Sequence, residues 1–155
     1  MNSELQRLAG AAGLETEARA SLRLRFGFTC VQRVRHLLES PDAVSGLDTL
    51  GAFLQGRCER DELAHAAQRM AAIAVSHPGS GSIDASAHAA VSATYAVFHA
   101  LAGRALQAAE YAAYASVYAY GAYAITDPDA FAEEFAWQTS TFIELLKDRA
   151  AAEHA

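Results

Sequence analysis

The side chains in this sequence with the clearest capacity for chemistry are its histidines and cysteines. Glu62-Leu63-Ala64-His65 has the Glu-x-x-His spacing of di-iron helical bundles. Such a centre needs a second copy and two more inward-facing glutamates, and this chain has one copy. On a helical wheel Glu62 and His65 lie opposite Leu63, Ala67 and Met70, so they are expected to face solvent. His88, Ser92, Tyr95 and His99 share one helix face, opposite Val97, and could line a cleft. The two histidines are eleven residues apart, about 16 Å along a helix axis, too far to share a metal or a substrate atom. Cys30 falls within an apolar stripe, where a thiolate is disfavoured. Cys58 lies beside Arg57 and Arg60, a setting that would lower its pKa. No oxyanion-hole glycine loop, phosphate loop, serine elbow or framed pair of carboxylates accompanies any of them. The residues therefore predict no catalytic set, no metal site and no cofactor, and the chain is expected to bind rather than catalyse.

The elements that must carry these residues are helical. The chain has 155 residues, enough for one domain with its own core, and 37 of them are alanine against 3 prolines. Alanine at that density favours helix and disfavours strand. Two cysteines exclude a disulfide scaffold, and they are expected to be free thiols. Punctuation then predicts an all-α single domain (1–155) of six or seven helices with mostly antiparallel neighbours. A short frayed helix spans Ser3–Ala12, with residues 1–14 loosely held. A second runs from about Ala18 to Glu39 and stops at Ser40-Pro41, its apolar members Leu22, Phe26, Cys30, Val34, Leu37 and Leu38 on one arc. Within it, residues 22–28 alternate like a strand, yet no second strand exists to pair with them. Further helices are expected over Asp42–Gln55, stopped by Gly56, and from about Glu59 to Ser76 with Leu63, Ala66, Ala67, Met70, Ile73 and Ala74 buried. Pro78-Gly79-Ser80-Gly81 reads as a loop, and Ser82 as the cap of a fifth helix reaching Leu101. A sixth is expected from about Arg104 to Ile125. Asp127-Pro128 starts a seventh that continues to about Ala151.

Charge is unevenly distributed. The formal net charge is −6, and residues 70–155 carry all of the excess: 9 acidic residues against Arg104, Lys147 and Arg149. That balance argues against nucleic-acid or anionic-membrane binding. With no basic leader, and no uncharged stretch that reads as a span, the expectation is a soluble cytoplasmic protein.

Two helices offer partner-binding residues. On the sixth, Ala105, Ala108, Ala112, Ala115, Ala119 and Ala122 form a small-residue stripe. Tyr111, Tyr114 and Tyr118 form a second stripe, widened by Tyr120 and Tyr123. These phenols belong either to a central helix with its hydroxyls near the surface or to a face offered to a partner. On the seventh helix, Phe131, Phe135, Phe142, Leu145 and Leu146 fall on a narrow core arc. Trp137 lies well off it, near Glu133, Glu144 and Asp148, with Glu134 adjacent to Glu133 in the chain. It is either an interface anchor among carboxylates or packs beneath another segment.

Three segments together resemble a known family: residues 26–39, with aromatic-x-x-x-Cys-x-x-x-Val leading to Leu38-Glu39; Ala43–Leu47 through Phe53–Gly56; and Ser86–Ala90 through Tyr111–Ala115, with its His-Ala and Tyr-Ala steps. Over roughly residues 22–120 the chain resembles the Imm5-type immunity proteins of bacterial polymorphic toxin systems. The resemblance implies a non-catalytic inhibitor that binds and neutralises a cognate protein toxin in the cytoplasm of the producing cell. A nuclease-like or otherwise basic toxin would suit the acidic second half. The alternative is a helical regulatory adaptor or homo-oligomer whose contact surface is the Tyr/Ala-rich helix.

Overall fold

Among the described residues there are seven α-helices: α1 (Ser3–Ala11), α2 (Ala20–Gln32), α3 (Pro41–Leu54), α4 (Arg60–Ser76), α5 (Ala85–Leu101), α6 (Ala105–Tyr120) and α7 (Ala132–His154). The computed structural model describes residues 1–76 and 85–154, and among these there is no strand. The expected Pro78–Gly81 loop and Ser82 cap lie outside the described residues. The all-α fold expected from composition is the one observed.

The first helix is docked rather than loosely held. The Asn2 side chain accepts from the Leu5 backbone N–H at 3.2 Å and caps α1. Its Nδ2 donates across to the Phe135 carbonyl at 3.0 Å and to Thr139 Oγ1 at 3.3 Å, tying α1 to α7. Leu5, Ala9 and Leu14 are buried in the main core. Gly13, at φ +65°, makes the left-handed turn that ends the helix.

The second helix is shorter than expected. A 3₁₀ turn, Glu17–Arg19, leads into α2, which stops at Gln32, and a second 3₁₀ turn spans Arg35–Leu37. Val34, at φ −110° and ψ 13°, is where the chain leaves the helix. Val31 and Val34 are both buried, and β-branched side chains hold a helix poorly. Arg35 pairs with Asp48 on α3, which fixes the turn from outside. The strand-like alternation over residues 22–28 is helix: Leu22 and Phe26 are fully buried, and Leu24 and Phe28 pack at the core margin.

Ser40 caps α3 by accepting from the Ala43 N–H, with Pro41 in the first turn. Against α3 lie α2, α4 and α5. Of the stripe expected on α4, Leu63, Ala66, Met70 and Ala74 are buried, and Ala67 and Ile73 are half-buried.

The centre of the molecule is the α5–α6 hairpin, crossed by α2. Gly103, at φ +76°, closes the hairpin, and the Arg104 N–H bonds back to the His99 carbonyl at 2.9 Å. Ala93, Ala96 and Ala100 on α5 and Ala105, Ala108, Ala109 and Ala112 on α6 are all buried. Where α2 passes over them it has Gly27, whose added Cβ would sit 3.4 Å from the Ala100 backbone. A Cβ there would just reach ordinary contact with α5, so small residues set the spacing of these helices.

The sixth helix also ends early. It stops at Tyr120 instead of reaching Ile125, because Gly121 adopts an extended backbone and a 3₁₀ turn, Ala122–Thr126, follows. Ala119, expected in the small-residue stripe, is exposed. The Asp127 side chain accepts from the Asp129 N–H at 3.0 Å, so it caps the 3₁₀ turn Pro128–Phe131 rather than a long helix. Only then does α7 begin, and it continues to His154. Phe142 on α7 is fully buried, edge-on to Phe26 of α2 with ring centroids 5.3 Å apart.

Candidate functional site

The residues singled out as partner contacts divide into those used inside the fold and those left at its surface. Trp137 belongs to the first group. It is half-buried against the main core, and the Arg33 guanidinium lies 4.4 Å from its ring centroid. Arg33 also makes a fork of hydrogen bonds to Glu134, Nε to Oε2 at 3.0 Å and Nη2 to Oε1 at 3.0 Å. The bond to Glu134 raises the Arg33 pKa further. Trp137, Arg33 and Glu134 form one seam between the end of α2 and the start of α7. Trp137 thus packs against the Arg33 end of α2 while staying partly exposed, and Glu134 is ion-paired within the chain.

The tyrosine stripe is turned inward in the same way. Tyr111 stacks on His99 and on Tyr95, with centroid separations of 5.2 and 5.4 Å. Tyr118 stacks on His88 at 5.0 Å. Tyr114 meets Phe131 edge-on at 5.5 Å, and Phe131 in turn contacts Phe135. Tyr111, Tyr114 and Tyr118 are half-buried, and Tyr95 donates to the Ala74 carbonyl at 3.3 Å. The polar face of α5 and the aromatic face of α6 are therefore two sides of one seam. His88 and His99 face different tyrosines of α6, Tyr118 and Tyr111. Burial, with nearby Arg104 as a smaller cause, pushes the His99 pKa down to about 4.

The cysteine expectations fare differently. Cys30 is buried, and burial pushes its thiol pKa well up. Cys58 departs from its expected lowered pKa: burial first, then Glu62 and Glu59, raise it, outweighing Arg57. Its thiol donates to the Thr49 carbonyl at 3.6 Å. Cys58 borders a shallow groove of about 680 Å³, where Glu39, Asp48, Arg57 and Glu62 mix both signs of charge. Glu62 and His65 are exposed on α4. Among the described residues no group of three or more His, Cys, Asp or Glu side chains could hold a metal ion, and no helix is long and apolar enough to cross a membrane.

Of the residues that remain at the surface, Glu133 belongs to a groove at the α6–α7 turn. Because α6 stops at Tyr120 and the chain doubles back through two 3₁₀ turns, a groove of about 600 Å³ forms between the end of α6 and the start of α7. Asp127, Asp129, Glu133 and Glu134 line it, with Ser116, Val117 and Ala130 at its floor and sides. Tyr120 stands at its edge, 78% exposed. The sequence points to Glu133 and Glu134 as partner contacts and to Tyr120 as part of the tyrosine stripe, but not to Asp127 or Asp129 as binding residues, although Gly121 and Asp127-Pro128 are the signals that make the chain turn there. Glu144 and Asp148 are exposed further along α7, away from the groove lining.

No family model, no curated protein and no solved structure matches this chain.

Proposed function

We propose that this protein is a non-catalytic inhibitor that binds and neutralises a basic protein toxin, as its resemblance to immunity proteins implies. The observation that carries the reading is the groove at the α6–α7 turn, where four carboxylates surround a concave surface beside an exposed tyrosine. A groove of that sign speeds encounter with a basic partner and discriminates against acidic ones. The tyrosine adds contact area at small entropic cost. The alternative, an adaptor or homo-oligomer using α6, is less favoured, since Tyr111, Tyr114 and Tyr118 are already stacked within the fold.

The test is affinity for a toxin encoded beside the gene, measured by calorimetry on the co-purified pair. Asp129→Arg with Glu133→Arg alters two exposed groove residues outside the core. It should weaken binding at least tenfold and flatten its salt dependence. Unchanged affinity would remove the groove from the interface. Failure of the chain to bind or protect against that toxin would remove the inhibitor reading altogether.

A further inference from the structure

Gln138 is a polar side chain set in an apolar seam. It lies on α7 beside α1 and α6 and is 1% exposed. Its Nε2 donates to the Ala109 carbonyl at 2.7 Å. That carbonyl can only accept, which fixes which end of the amide carries the nitrogen. Oε1 is then buried with no hydrogen-bond donor from the protein. A buried acceptor left in that state costs about 1–3 kcal/mol, and native proteins meet such groups with ordered water where room exists.

Room of the right size is present. Gln138 lines a space of about 20 Å³ shared with Asn2, Gln6, Leu106 and Glu110. One water needs roughly 10–15 Å³ and two to four polar partners. The volume excludes anything much larger, and Gln6 of α1 and Glu110 of α6, both polar, line the same space. We infer that one ordered water is a constitutive part of this joint, donating to Gln138 Oε1 and linking α7 to polar groups on α1 and α6. The alternative, rotating the amide so that Oε1 meets a protein donor, would break the 2.7 Å bond to Ala109.

The measurement is a crystal structure of the unaltered protein at about 1.8 Å or better, paired with water–protein nuclear Overhauser effects in solution. A density peak 2.6–3.2 Å from Oε1 in every copy, and a long-lived water cross-peak to α7 amides, are expected. Gln138→Met, similar in length and without the acceptor, should lose both signals. A well-ordered map with no peak there, an Oε1 bonded directly to protein, or a peak that persists in Gln138→Met would each overturn the assignment. Since the first two readouts use the unaltered chain, a Gln138→Met protein that fails to fold leaves the test standing.

Discussion

His99 shows how a single residue is shaped by what closes over it. Its Nδ1 is buried without a hydrogen-bond partner, Tyr111 stacks on its ring, and Phe98 and Arg104 flank it. The neutral ring suits that setting and the charged one does not, so its pKa falls from the usual 6.5 to about 4. The folded-state pKa lies below the unfolded one, so the unfolded chain takes up the proton first. The stabilisation is complete above about pH 6.5 and is lost progressively as pH falls toward 4. Melting temperature should therefore fall across that window by more in the wild type than in His99→Phe, which keeps a stacking ring and has no proton to bind. Equal slopes in the two proteins would show that His99 is not responsible. Its polar helix face was legible in the sequence, but its partner was not: His99 meets Tyr111 only because the hairpin folds back. Gln138 is the sharper case. Its place three residues after Phe135 and four before Phe142 puts it on the core arc of α7, but the Ala109 carbonyl that it meets belongs to α6 and is not marked by any local signal. Cys58 likewise has two arginines near it in sequence, yet burial and two glutamates govern its thiol.

Among the elements, the close crossing of α2 over α5 and α6 depends on residues that are nearly all backbone. A Cβ added at Gly27 would lie 3.4 Å from Ala100 and 3.8 Å from the Ala108 Cβ. Ala108→Leu would force three helices apart and should cost about 1–3 kcal/mol, read as a lower midpoint in urea denaturation with helicity retained in water. A midpoint unchanged within a few tenths of a kcal/mol would mean that the crossing is looser than these distances say. The alanine pattern made this packing foreseeable, and Ser40-Pro41, expected as the stop of the second helix, is also the cap of α3, whereas Asp127-Pro128 starts a 3₁₀ turn and α7 begins only at Ala132. The ends of α2 and α6 were not foreseeable in the same way. Helical periodicity continues past Gln32 and past Tyr120, and the chain leaves the helix because burying Val34, pairing Arg35 with Asp48, and turning at Gly121 are tertiary gains. The acidic groove exists only because of that second departure, so Glu133 and Glu134 could be picked out from one helix face, but Asp127 and Asp129 beside them could not.

At the scale of the molecule, aromatic rings fill the seams between α5, α6 and α7, and four carboxylates line the groove where α6 gives way to α7. One of those carboxylates connects the groove to the α2–α7 seam. Glu134 lines the groove, and its other contact, Arg33, covers Trp137. The chain contains a single tryptophan. Its indole is therefore an intrinsic fluorophore wired to the groove: a cationic side chain that competes for Glu134 releases the guanidinium from the ring and alters the emission. Titration with a basic partner should shift the tryptophan spectrum. Arg33→Ala should start from the shifted spectrum and respond little. Occupancy of a surface that holds no tryptophan can then be read optically, without attaching a label.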